Sequence, residues 1–195
     1  TVLDRNDADT GGAVYLEEAN QLSGVVMLND TLSHNDASNG AAIFLGRLKH
    51  NSSVLIQSST LSSNSATQDG GAVLVSEMED QSLVTIVNST VTSNSAGRDV
   101  GGILNGGNRV IRAQNSLIAG NSSETGDVDV RGQFLSLANN LIGVLGEVTG
   151  FIYGQGDDIV GISTDPVDPK LGPLQDNGGL TQTHSLLPGS PALDS

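Results

Sequence analysis

One short phrase recurs along most of this 195-residue chain at a spacing of about thirty residues. Its fullest copy occupies residues 60–75, where Thr-Leu-Ser-Ser-Asn-Ser-Ala is followed by a Gly-Gly pair and an apolar stretch. A fixed period in this range is typical of a solenoid, in which each repeat buries its apolar face only against its neighbours. Successive copies of the asparagine are separated by 29, 29, 30 and 27 residues, at Asn6, Asn35, Asn64, Asn94 and Asn121.

Each repeat carries two stretches in which apolar and other residues alternate, as in strands with one buried face. In the first stretch, the inward positions are expected two and four residues before the Asn or Ser that ends it. In the last such stretch this residue is Asn139, so the inward positions are expected to be Leu137 and Leu135. The second stretch follows the Gly-Gly pair. Its first inward positions are expected at Val14, Ile43, Val73, Ile103 and Val128.

These patterns predict an all-β chain folded as a right-handed parallel β-helix, a solenoid with rungs of about 24–30 residues and an irregular C-terminal cap or fold-back. Residues 1–145 are expected to form the rungs, with an N-terminal edge cut within a repeat. Residues 146–195 contain all five prolines and are expected to form a last strand plus a Pro/Gly-rich cap segment of the same domain. Such a segment would cover the core, as the terminal repeats of solenoids require.

Two polar columns are expected to form ladders, because parallel rungs stack identical positions about 4.8 Å apart. Both columns should face the core or a corner, and we expect Asn88 to be buried. The first structural ladder is predicted at Asn35, Asn64, Asn94 and Asn121, and the second at Asn29, Ser58, Asn88, Asn115 and Asn139.

A column of apolar residues is predicted on the outside of the rungs, next to the inward residues of the second strands. Three alternatives are open for this possible contact strip: the C-terminal segment 180–193 folds back over it, another subunit or protein docks on it, or it is simply exposed. The strip consists of Tyr15, Phe44, Leu74 and Leu104.

Composition limits the function classes. The chain has 8 basic and 22 acidic residues, a formal net charge of −14, which opposes binding to nucleic acid and to anionic membranes. It has no cysteine, and its three histidines are far apart in sequence, so neither a thiol nucleophile nor a zinc cluster is indicated. His184, in the tail, is expected to fix that segment by hydrogen bonds. We therefore predict no catalytic residues and no cofactor-binding residues.

Calcium is the one cofactor that the acidic residues leave open, with four weak candidate ligands. If Val128 and Val130 point inward, Asp127 and Asp129 project together with Arg131 on the outer face. No carboxylate of a neighbouring rung is expected to join them, and solvated charges are the alternative interpretation. The second candidate pair is Asp157 and Asp158.

The repeats and the tail resemble those of secreted bacterial β-helix proteins. The repeat, Asn-Ser-Thr followed by Asn-x-Ala and Gly-Gly-Ala-Val, resembles polymorphic outer-membrane-protein and adhesin-like passenger regions. The tail at 168–194, with Asp-Asn-Gly-Gly-Leu-Thr-Gln-Thr-His-Ser-Leu-Leu-Pro-Gly-Ser-Pro-Ala-Leu-Asp, is similar to the closing segment of choice-of-anchor surface proteins. The resemblance implies a pectate-lyase-like fold and an exported protein that is surface-attached or released.

The sequence thus leads to two hypotheses. The first is a non-catalytic extracellular structural or adhesive module, located outside the cell or on a bacterial surface, that presents a surface for assembly or binding. Its partner would be a protein or a second copy, contacting the strip or the N-terminal edge, with no nucleic acid and no membrane insertion. The alternative is a calcium-dependent β-helix that binds acidic polysaccharide or acts on it as a lyase or hydrolase.

Overall fold

Each repeat of the sequence forms one rung of stacked strands. The computed structural model describes residues 1–126, 128–152 and 157–193, which fold as an all-β parallel solenoid of about four turns. Within these residues, no helix is long and apolar enough to span a membrane. The strands, in chain order, are β1 (Val2–Asp4), β2 (Val14–Ala19), β3 (Gly24–Leu28), β4 (Thr31–Ser33), β5 (Asp36–Ala37), β6 (Ile43–Leu48), β7 (Ser53–Gln57), β8 (Thr60–Ser62), β9 (Ser65–Ala66), β10 (Val73–Met78), β11 (Leu83–Val87), β12 (Thr90–Thr92), β13 (Ser95–Ala96), β14 (Ile103–Asn105), β15 (Ile111–Gln114), β16 (Leu117–Ile118), β17 (Ser122–Ser123), β18 (Val130–Ser136), β19 (Leu141–Ile142), β20 (Leu145–Thr149), β21 (Ile159–Val160), β22 (Leu171–Gln175) and β23 (Thr183–Leu186).

The rungs stack so that equivalent strands form parallel sheets. Face 1 is the seven-stranded sheet β1-β4-β8-β12-β16-β19-β21, and face 2 is the four-stranded sheet β17-β13-β9-β5. Faces 3 and 4 belong to one ten-stranded sheet, because the long strand β18 continues from one face to the other. Face 3 contains β2, β6, β10, β14, the start of β18 and β20; face 4 contains β3, β7, β11, β15 and the end of β18.

Left-handed backbone makes the corners between the faces. Asn adopts this conformation more readily than most residues, which explains its recurrence between faces 4 and 1. Ahead of face 3 a glycine serves instead: Gly40 has φ 56°, and a Cβ there would lie 2.5 Å from the carbonyl oxygen of Ile43. The corner residues between faces 4 and 1, with their φ angles in degrees, are Asn29 (54), Ser58 (49), Asn88 (51), Asn115 (49) and Asn139 (60).

The core is a stack of aliphatic columns enclosed by the faces. Ile43 pairs in register with Val73, and Val73 with Ile103, and all three side chains are fully buried. The next member of this column is Val130, which pairs with Ile103. The prediction that Val128 fills this position is therefore wrong by two residues.

The same rung departs from the predicted register on face 4. Ile111 pairs with Phe134, so the ring of Phe134 enters the core and packs 5.4 Å from that of Phe151. Leu135 and Leu137, predicted inward, are 41% and 42% exposed. Positive φ at both residues 138 and 139 explains the shift, because this corner contains one more left-handed residue than the earlier ones.

The C-terminal segment forms an antiparallel hairpin, β22–β23, that lies along the outer side of face 1 and fits the predicted cap or fold-back. The hydroxyl of Thr31 donates to the carbonyl oxygen of Gln182 at 2.7 Å. One rung further, Ser62 Oγ lies 2.9 Å from Nε2 of His184, whose Nδ1 is 2.7 Å from the carbonyl oxygen of Gly172. The hairpin thus covers several rungs, and His184 fixes it as predicted.

Candidate binding surface

The first asparagine ladder is present and buried. Asn64 donates its backbone N–H and its Nδ2 to Oδ1 of Asn94, at 3.0 and 2.8 Å. Asn35 makes the same pair of bonds to Asn64, and Asn94 to Asn121, at the same distances. The four side chains are at most 2% exposed. Each amide satisfies a corner N–H of the preceding rung, so this column stabilises the fold.

This ladder ends on a buried carboxylate. Oδ1 of Asp129 accepts from the backbone N–H and Nδ2 of Asn121 at 2.8 and 2.7 Å, and Oδ2 accepts from the Val144 N–H at 2.7 Å. Asp129 is 1% exposed, so the expectation that it projects outward beside Arg131 is wrong. The two-residue shift explains the error, because it places Asp129 at the corner position that Gly102 has in the preceding rung.

The second predicted column lies at the surface. Nδ2 of Asn115 donates to Oδ1 of Asn88 at 2.7 Å, but both residues are exposed, as are Ser58 and Asn139, and Asn29 is half-buried. The expectation that Asn88 is buried is wrong. The positive φ of these corner residues is the physical reason, since it turns the following residue toward the core instead.

The following residues form a second ladder that the sequence interpretation missed. The Ser59 N–H donates to Ser89 Oγ at 3.2 Å, and the Ser89 N–H donates to Ser116 Oγ at 3.3 Å. The Ser116 N–H then donates to Oδ1 of Asn140 at 3.1 Å. This ladder also ends on a carboxylate, because Oδ1 of Asp158 accepts from the Asn140 N–H at 2.8 Å. A polar residue follows every corner residue and is serine at Ser59, Ser89 and Ser116, which was the available signal.

The structure describes three of the four calcium candidates. Asp127 lies outside the described residues. Asp129 and Asp158 accept hydrogen bonds at the ladder ends, whereas Asp157 is exposed and, with Asn115, lines a cleft of about 410 Å³. Among the described residues, no three His, Asp or Glu side chains are placed to hold a metal ion.

The apolar strip is continuous on the outer side of face 3. Tyr15, Phe44, Leu74 and Leu104 pair in register from rung to rung, and Arg131 follows Leu104 in the same column. Tyr15 is 53% exposed and the other three apolar side chains are half-buried. The rings of Tyr15 and Phe44 stack with centroids 5.6 Å apart and planes inclined by 20°.

The C-terminal segment does not cover this strip. Its hairpin contacts Thr31 and Ser62 on face 1, and Ala192 packs against the apolar cluster of Leu117 there. The hypothesis that residues 180–193 lie over the strip is therefore wrong. Leu171 and Ala192 of the tail instead pack on face 1, where the outer residues Thr31 and Ser62 are buried.

A charged margin runs beside the strip. Arg47 Nε donates to Oε2 of Glu77 at 2.8 Å, and its guanidinium lies 3.6 Å from Glu18. The hydrogen bond from Arg47 holds the pKa of Glu77 below its usual value, and the same bond raises the pKa of Arg47. Between this ion pair and the ring of Tyr15 is a cleft of about 270 Å³, which Gly46 also lines.

Together, the strip and its charged margin form the candidate binding surface. Consecutive rungs supply its residues at one strand position, so the repeat itself positions them. The surface offers apolar contact, ring edges and carboxylates in one continuous area. No protein-family model, curated protein or solved structure matches the chain.

Proposed function

We propose that this protein is a non-catalytic extracellular module that binds another macromolecule through the strip on face 3. The observation that carries the proposal is the continuous column from Tyr15 to Leu104, which no other described segment covers. Scattered apolar residues are ordinary on protein surfaces, but a row of adjacent ones is typical of an interaction site. Three steps of about 4.8 Å make this row about 15 Å long.

Further support comes from the roles of the buried polar groups. The side-chain oxygens of Asn94, Asn121 and Asp129 accept hydrogen bonds from corner N–H groups. This structural role explains why these polar residues are buried, without a role in catalysis. An adhesive or structural role needs a rigid repeat and an exposed contact surface. The proposal therefore includes a location outside the cell or on a bacterial surface, and no turnover of its own.

A binding array tests the proposal. Labelled protein is applied to immobilised extracellular-matrix proteins and purified surface glycans, and saturable binding is expected for at least one of them. The double variant Phe44→Ser/Leu74→Ser should weaken this binding at least tenfold. The matched control is Val26→Ser/Leu135→Ser, which removes two apolar residues from the outer side of face 4, where they are 64% and 41% exposed.

The outcomes are distinct. Equal binding by the strip variant and the wild type would contradict the proposal, provided that circular dichroism shows both to be folded. A parallel arm incubates the protein with pectate and alginate, with and without calcium, and follows ultraviolet absorbance of unsaturated products. Turnover in this arm would replace the proposal with the polysaccharide-lyase alternative.

A further inference from the structure

We propose that the occupant of the strip is an extended segment of a partner protein that carries both apolar and cationic side chains. This inference rests on the proposed function and names the partner's chemistry. It follows from the shape of the strip, from the orientation of its rings and from the charges at its margin.

The shape of the strip favours an extended polypeptide. At about 3.3 Å per residue, a length of about 15 Å accommodates four or five extended residues, and every second side chain of such a segment points to the same surface. Tyr15 and Phe44 stack on each other, so each ring uses one face in that contact. The aliphatic side chains of such a segment can pack on the ring edges and on the methyl groups of Leu74 and Leu104.

The charges beside the strip select a cationic partner. Both basic side chains of this margin already have acidic neighbours: Arg47 lies 2.8 Å from Glu77, and Lys49 lies 3.6 Å from Glu18. Four carboxylates lie around these two cations, so the margin keeps a negative potential that adds to the net charge of −14. Acidic polysaccharides and acidic peptides are repelled by it, and Lys or Arg is attracted. The four carboxylates belong to Glu17, Glu18, Glu77 and Glu79.

The cleft beside Tyr15 is a specific site for one Lys or Arg side chain of the partner. Its volume of about 270 Å³ accommodates a lysine or arginine side chain, and its walls include Tyr15, Glu17 and Glu18. The aliphatic stem of such a side chain can pack on the tyrosine ring while its charged end reaches the carboxylates. Apolar neighbours in the partner would then lie on Phe44 and Leu74.

Titration of isotope-labelled protein with three synthetic peptides tests the inference by nuclear magnetic resonance. The probe is Lys-Leu-Lys-Phe-Lys-Leu-Lys; the second peptide has Glu for every Lys, and the third has Ser for Leu and Phe. The probe should shift the amide signals of Tyr15, Phe44 and Leu74 and bind at least tenfold more tightly than either other peptide. Glu17→Lys should weaken this binding at least threefold, whereas Glu124→Lys, the same charge change at an exposed site outside the strip and its margin, should not.

Each result decides between the two proposals. Binding of the Glu peptide at the strip, with affinity equal to that of the probe, would overturn the cationic partner and leave the docking surface supported. Equal binding of the probe to Phe44→Ser/Leu74→Ser, or equal weakening by both charge variants, would show only general charge attraction and would overturn the inference. Absence of any shift at the strip would also overturn it, while the array decides the proposed function separately.

Discussion

The substitution Asn94→Leu should be among the most damaging single changes in this protein. The side chain of Asn94 is fully buried, and its Oδ1 is the acceptor for the backbone N–H of Asn64 at 3.0 Å. Its Nδ2 donates to the carbonyl oxygen of Leu61 at 3.0 Å and to Oδ1 of Asn121 at 2.8 Å. Leucine has the same branching at Cγ but can replace none of these bonds.

The magnitude follows from the partners that are left behind. The Asn64 N–H loses the acceptor that Asn94 provides in a dry site, which costs about 1–3 kcal/mol. The Asn64 amide keeps its bond to the carbonyl oxygen of Leu32, and Asn121 Oδ1 keeps the backbone N–H of residue 94, so these groups add less. We expect a loss of about 2–4 kcal/mol in the free energy of unfolding, or about 1–2 M in the urea midpoint at a slope of about 2 kcal/mol per M.

Urea unfolding followed by circular dichroism measures this loss, and amide exchange of the Asn64 N–H locates it. The matched control is Asn88→Gly, because Asn88 is exposed and glycine accepts its φ of 51° without strain. The control should lie within about 0.5 kcal/mol of the wild type. If Asn94→Leu and Asn88→Gly shift the midpoint equally, the assignment of the buried ladder to the first column is refuted.

Two further predictions concern the hairpin and the charged margin. His184→Ala removes the bonds to Ser62 and to the Gly172 carbonyl, so amide exchange in β22 and β23 should accelerate about tenfold; unchanged exchange would contradict the anchoring role. Arg47→Ala should raise the pKa of Glu77 toward its usual value, as measured by titration of its carboxyl carbon signal. Lys49→Ala should raise this pKa less, because Lys49 lowers it less than Arg47 does. Because the folded pKa of Glu77 is lowered, the pair stabilises the protein above the usual glutamate pKa and ceases to do so as pH falls through the lowered value.

The repeat made the architecture predictable, and the spacing of its asparagines contained more information than the prediction used. From Asn35 to Ile43 is eight residues, and from Asn94 to Ile103 is nine. Nine residues after Asn121 is Val130, which pairs with Ile103 in the structure. Matching the Val-x-Val pattern alone placed Val128 at this position instead. A single register error then turned the ladder terminus Asp129 into a surface carboxylate.

The strip was predictable because one inward position fixes its outward neighbour in a strand. The position of the tail was not predictable, because the tail could pack either on the strip or on face 1. Face 1 presents Thr31 and Ser62, whose hydroxyls bond to the hairpin, and near its other end Leu117 adds apolar contact. Such complementarity depends on where a hairpin turns in space, and the sequence of the tail does not show it.

The hairpin on face 1 also limits the number of rungs that can lie beneath it. It touches the rung of Thr31 near its tip and the rung of Gly143 near its base, where the Val167 N–H donates to the Gly143 carbonyl at 3.0 Å. Inserting or deleting one repeat between these rungs would displace one contact from the other by about 4.8 Å, more than a hydrogen bond tolerates. Solenoids usually gain and lose repeats freely, but in this protein the number of rungs under the hairpin is fixed by the length of its own tail.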